Sequence, residues 1–179
     1  MSAGNFAACF ADTEGFEGWH QFSNDPVDPG GATYSGVTQR EYNSWRAMQG
    51  LPPQSVRKMS DDECRAIYKT QYWDAVRGDE LFAGLDLFMY DTGVNSGPPK
   101  AVRFLQQALR VQVDGQFGLE TLGALRGVND RAELIRTLCA ARLSFWHSLM
   151  TWWRFGRGWS SRSAGIETEA LAMLAKGAQ

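Results

Sequence analysis

Glu17-Gly18-Trp19, followed by Asn24-Asp25-Pro26-Val27-Asp28-Pro29-Gly30-Gly31-Ala32-Thr33-Tyr34-Ser35-Gly36-Val37-Thr38, is the stretch on which the reading of this chain turns. The residues before it, Phe6, Cys9, Phe10 and Thr13, repeat with helical period, so Glu17 sits where a short amphipathic helix ends. Asp28 follows eleven residues later in a loop dense in Gly and Pro, and Thr33 five further on. Turn residues of this kind let the chain double back, which brings the second carboxylate to face the first. A proton donor, a second carboxylate and a hydroxyl that can place water are the groups that hydrolysis of a glycosidic bond needs. The same residues also suit plain turn chemistry, with Asp28 bonding its own backbone and the glutamate solvated at a helix end.

Outward from this stretch the pattern is helical. Residues 18–37 read as a loop or small hairpin. Thr38-x-x-Glu41 and Ser60-x-x-Glu63 are capping boxes that open two helices, the first running to Gly50 before Pro52 and Pro53. A helix over about 81–94 carries Leu85, Phe88 and Met89 and stops at Gly97-Pro98-Pro99. Further helices are expected over about 100–110, 119–126, from a cap at Asn129 onward, and over about 162–176 after a break at Gly156–Gly158. No stretch alternates apolar and polar residues long enough for a large sheet, so the chain is mainly α.

Composition bounds the chemistry. The 179 residues fit one domain, or two small ones sharing an interface. The net charge is −2 and the basic residues do not cluster, which argues against nucleic acid as a partner. No apolar run approaches the roughly 20 residues that span a bilayer, so stable membrane insertion is not expected. The N-terminus lacks a basic stretch followed by an apolar core, so no secretory signal is expected there. Cys9, Cys64 and Cys139 are odd in number, widely spaced and on apolar helix faces, as buried reduced thiols would be. Two histidines, His20 and His147, do not make a metal site, and neither a metal nor an organic cofactor is expected.

Several separate motifs, in order, resemble those of glycoside hydrolase family 108, the N-acetylmuramidases found as phage endolysins and as secretion activators. Asn24 to Thr38 matches the family's Asn-Asp-Pro-x-Asp-Pro-Gly-Gly-x-Thr-x-x-Gly-Ile/Val-Thr nearly residue for residue. Tyr72-Trp73-Asp74 and Asp91-Thr92-Gly93-Val94-Asn95-Ser96-Gly97 match as well. The C-terminal half resembles the predicted peptidoglycan-binding domain that accompanies the family, including Val113-Asp114-Gly115-Gln116-Phe117-Gly118 and Gly156-Arg157-Gly158-Trp159.

The chain departs from the pattern at the catalytic position. The second Gly of Glu-Gly-Gly is missing and the stretch before Asn24 is longer, so Glu14-Gly15-Phe16 competes with Glu17-Gly18-Trp19. Glu17 is preferred because Phe6 lies eleven residues before it, as in the family's first helix.

The resemblance implies a lysozyme-like helical fold, with a small loop or hairpin lining the cleft and C-terminal helices packed against it. It implies a catalytic domain over 1–94 and a helical peptidoglycan-binding-like domain over 95–179. The implied activity is cleavage of the β-1,4 bond between N-acetylmuramic acid and N-acetylglucosamine. Glu17 would be the general acid, Asp28 the second carboxylate and Thr33 the water-holding hydroxyl. Trp73, Tyr72, Asp91, Asn95 and Tyr34 would contact the glycan strand. The catalytic layout also resembles that of phage-type lysozymes, an analogy that by itself does not carry the chemistry over. Trp146, Trp152 and Trp153 sit on a helical face and are expected to pack. The rivals are a lytic transglycosylase, which cuts the same bond without water, and a non-catalytic wall-binding protein. Without a signal segment, a chain made in the cytoplasm and acting on the periplasmic wall would rely on a holin or an export system.

Overall fold

The computed structural model describes residues 4–14, 19–24 and 31–177. It is mainly α and consistent with a lysozyme-like fold. The helices are α1 (Phe6–Glu14), α2 (Gln39–Met48), α3 (Asp61–Tyr68), α4 (Leu85–Ser96), α5 (Pro98–Leu109), α6 (Leu119–Arg126), α7 (Arg131–His147) and α8 (Trp152–Gly177). One antiparallel sheet of two-residue strands, β1 (Phe22–Ser23), β2 (Thr33–Tyr34) and β3 (Val37–Thr38), runs in the order β1-β2-β3. The chain divides into two units: one is Ala7–Gln71, and the other joins the segment ending at Phe6 to the chain from Tyr72 onward.

In the first unit both capping boxes form as the sequence predicts. Thr38 and Ser60 each accept the N3 amide of their helix, while Glu41 and Glu63 reach back to the N-cap amides. Glu63 then does a second job. Its carboxylate accepts from Tyr42 Oη at 2.8 Å and from Arg46 Nη1 at 2.7 Å. Gln54 Nε2 donates to the same Tyr42 oxygen at 2.8 Å, so α2, α3 and the intervening loop are locked through one phenol. Burial alone would raise the carboxyl of Glu63, but hydrogen bonds from Ser60 and Tyr42 and the charge of Arg46 outweigh it and hold it below the usual range. Cys9, Phe10, Tyr42, Val56, Cys64, Ile67 and Tyr68 fill the core of this unit.

In the second unit α4 is buried on every side from Leu85 to Gly93, and α5, α7 and α8 pack on it. A helix apolar all round must be central. One acid in its middle, Asp91, is offset by two arginines: Arg142 Nη1 donates to Oδ2 at 2.5 Å and Arg162 Nε to Oδ1 at 3.0 Å. Arg142 also donates to Thr92 Oγ1 and lies over the rings of Phe88 and Trp146 at 4.9 and 4.8 Å. All three cysteines are buried thiols outside any disulfide, and burial pushes the Cys139 thiol up to about 12.

Three boundaries differ from expectation. Pro98 and Pro99 open α5 instead of only ending α4, because the first helical positions need no amide hydrogen. The cap of α7 is Asp130, whose side chain accepts from Glu133 N, not the neighbouring Asn129. Gly156 and Gly158 do not break the last helix: α8 runs through both. At Gly156 a Cβ would lie 2.5 Å from the ring of Trp152, so that glycine marks a close approach rather than a helix end.

Candidate functional site

Glu17 and Asp28 lie outside the described residues, as does the Gly15–Gly18 stretch, so the described part of the site is the hairpin that carries Thr33 and Tyr34 and the groups that hold it. Tyr34 pairs with Val37 across a two-residue turn, Ser35-Gly36, in which both residues have positive φ (48° and 75°). That is the turn whose twist matches antiparallel strands, and Gly36 takes its second position without strain. Ser35, which has a Cβ, needs support there and has it on three sides. Its amide donates to Gln21 O at 3.0 Å, its hydroxyl accepts from His20 N at 2.9 Å, and its carbonyl accepts from Tyr68 Oη at 3.1 Å. Gln39 N donates to Ala32 O at 2.7 Å, tying the hairpin base to the start of α2.

An aromatic row runs beside the hairpin. Tyr68 and Trp19 each meet the ring of Phe10 edge-on, with centroids 5.5 and 5.2 Å away. Trp19 neighbours the His20 ring, which stacks on Tyr34 at 6.3 Å. His20 has positive φ (60°) and its Nε2 sits 3.0 Å from Asp61 Oδ1 at the start of α3. Arg57 covers Phe22 at 4.9 Å. The result is a half-buried strand, β2, whose Thr33 hydroxyl donates to Gly31 O at 3.4 Å and whose Tyr34 ring stacks with His20.

The hairpin brings Thr33 and Tyr34 together; the other expected contact residues belong to the second unit. Tyr72 and Trp73 lie on a π-helical turn, Lys69–Trp73, that follows α3. Tyr72 is half-buried, whereas Trp73 is fully buried. The Trp73 ring packs against Phe6 and Tyr90, and its indole N–H donates to Asp79 at 3.0 Å. A ring with no free face cannot stack on a sugar, so here Trp73 packs instead of binding. Asp91 is corrected in the same way: it is fully buried and its carboxylate is taken by Arg142 and Arg162. Asn95, one turn on, is exposed and accepts from Ser96 Oγ. Trp146 packs as expected, but Trp153 does not: it is 84% exposed.

The wall-binding-like motif is internally satisfied. Gln106 Nε2 donates to Asp114 Oδ1, Gln116 O and Thr121 Oγ1, while Gly115 N donates to Gln106 Oε1. Hydrogen bonds from Gln116 and Gln106 hold the Asp114 carboxyl below its usual range. Asp114 and Thr121 therefore shape a turn around Gln106, a residue that sequence reasoning passed over. His20 and Ser35 were missed too, because their roles depend on positive φ and on partners far along the chain. Among the described residues no three metal-type side chains come together.

Residues 10–97 match the model of the family described as Glycosyl hydrolase 108, and residues 100–164 that of a predicted peptidoglycan domain. Twelve chains of known structure match, among them Brucella abortus SagA, with 34% identity over 99% of this chain and 100% of that one and a TM-score of 0.83. Among curated proteins none matches. The hairpin motif, its helical setting and the full-length likeness converge: this chain belongs to the glycosyl hydrolase 108 family, with a peptidoglycan-directed domain following the hydrolase part.

Proposed function

We propose that the protein is an N-acetylmuramidase that hydrolyses the β-1,4 bond from N-acetylmuramic acid to N-acetylglucosamine. The observation that carries this reading is the Asn24–Thr38 motif inside the family match, with the Thr33–Tyr34 strand held by fixed partners beside an aromatic row. Residues 1–94 act as the catalytic domain and 95–179 as the wall-binding one, a division supported by family matches that end at 97 and begin at 100. Glu17 is the general acid. Its carboxyl must stay protonated near neutral pH, which an apolar setting favours; Trp19, packed on Phe10, lies two residues on. Asp28, ionised, activates the attacking water, and Thr33 holds it. Tyr34, Tyr72 and Asn95 contact the glycan. The enzyme acts on the periplasmic wall as an endolysin or in secretion, delivered by a holin or an export system.

Clearing of a cell-wall suspension, with mass spectrometry of the products, tests this. Each cut adds the mass of one water; anhydro products would mean a transglycosylase. Glu17→Gln keeps the side chain's size and removes the proton, and general acid catalysis contributes about 10²–10⁴-fold. Its loss of activity should exceed that of Glu14→Gln by at least about tenfold; the reverse order would move the acid to Glu14.

A further inference from the structure

The turn between α7 and α8 carries an exposed apolar tip that lies within the span matched to the predicted peptidoglycan domain and outside the proposed catalytic residues. Met150 is 93% exposed, Trp153 84% and Phe155 44%. The tip stands on a rigid base: Trp159 packs on Trp146, Trp152 and Phe155 with centroids 5.7, 6.1 and 5.6 Å apart. His147 stacks on Trp152 at 3.6 Å. Large side chains left in water on a fixed platform mark a surface that meets something.

The composition around the tip says what. Between Glu133 and Glu167 there is no Asp, Glu, Asn or Gln, although the whole chain has a net charge of −2. Arg154 and Arg157, both exposed, flank the aromatic side chains within this acid-free stretch. A sugar site pairs aromatic rings with carboxylates or amides that bond hydroxyls; this tip has neither. Trp, Phe and Met with arginines beside them are instead what an interface between hydrocarbon and anionic headgroups takes. No described helix is long and apolar enough to cross a membrane, so the contact would be with one leaflet's surface.

We propose that the α7–α8 tip docks the protein on an anionic lipid bilayer, with Trp153 and Met150 entering the headgroup layer and Arg154 and Arg157 meeting lipid phosphates. The docking is independent of which glycosidic bond is cut.

Flotation of the full chain with vesicles tests it, using phosphatidylethanolamine–phosphatidylglycerol against pure phosphatidylcholine. The wild type should float with the anionic vesicles and weaken steeply with salt, since exposed charges are screened within about 8 Å at physiological ionic strength. Replacing Trp153 and Met150 together by Ala should weaken binding about tenfold or more, the factor expected for withdrawing one large side chain from an apolar phase. Arg154→Gln with Arg157→Gln leaves the aromatic platform intact and should remove the preference for anionic lipid. It also gives a reading of its own if the first variant melts early. A wild type that fails to float, or variants that float as well as it does, would overturn the proposal. So would variants that lose sedimentation with purified peptidoglycan while the wild type ignores vesicles, since the tip would then read glycan.

Discussion

Asp91→Asn separates a structural from a substrate-binding role for a residue that the family motif places at the cleft. The side chain keeps its size and loses only its charge. In the structure Asp91 and Arg142 are fully buried, and Arg162 nearly so, with nitrogen–oxygen distances of 2.5 and 2.8 Å. Solvent screening therefore gives no discount of the kind that makes surface pairs weak. Removing one partner of a buried pair costs about 3–5 kcal/mol, because the charges left behind stay out of water. For a chain of this length each kcal/mol moves the melting midpoint by roughly 2–4 °C, so the variant should melt about 6–20 °C lower. Thermal unfolding followed by far-ultraviolet circular dichroism measures this directly. Asp91→Leu combined with Arg142→Met and Arg162→Met should recover most of the loss, since apolar replacement of a whole buried set is often neutral or better. A midpoint within about 2 °C of the wild type, with wall-clearing activity lost, would refute the reasoning and return Asp91 to the substrate.

Further outcomes are open to measurement. If Asp28 directs water from the face opposite Glu17, the anomer first released is inverted and the carboxyl groups stand roughly 6.5–9.5 Å apart; a retained anomer in early NMR spectra of a wall digest refutes this. Gly156→Ala should destabilise by about 1–3 kcal/mol through overpacking against Trp152, despite alanine's better helix propensity. Gly158→Ala, where a Cβ meets open space, should stabilise by about 0.5–1 kcal/mol; denaturant titration reads both, and equal effects would show that the Trp152 ring yields. Glu63 has a depressed carboxyl in the folded state, so its contribution is present above the ordinary value near 4.5 and fades as pH falls through the lower folded value. Glu63→Gln should therefore cost stability near neutral pH and flatten the acid limb; an unchanged acid limb would mean the pairing with Arg46 carries no weight.

Local chemistry was legible in the sequence where it depends on neighbours a few residues away. The two capping boxes, the short α6 and the apolar face of α1 all rest on spacings of three or four residues, and all formed. Where a residue type has two uses, tertiary context chose between them. A proline pair ends one helix and starts the next, and a glycine inside a helix serves a close approach to Trp152 instead of a stop. Neither choice can be made from periodicity alone.

The site divides along the same line. The hairpin that carries Thr33 and Tyr34 could be read because the motif is contiguous and dense in turn residues. The supports of that hairpin could not, because Ser35 is held by His20, Gln21 and Tyr68, and His20 by Asp61, across separations of up to 41 residues. Yet one signal for Asp91 was present. Arg142 falls on the face of α7 shared by Leu138, Cys139 and Trp146, where an arginine must be matched by a buried acid. The only acids in the apolar helix α4 are Asp86 and Asp91. Asp86 accepts the amides of Gly84 and Leu87 at the helix start, which leaves Asp91 for the arginine. Pairing each charge on an apolar face with a counter-charge on another such face narrows the partner of Arg142 to these two acids, and the hydrogen bonds at the start of α4 then single out Asp91.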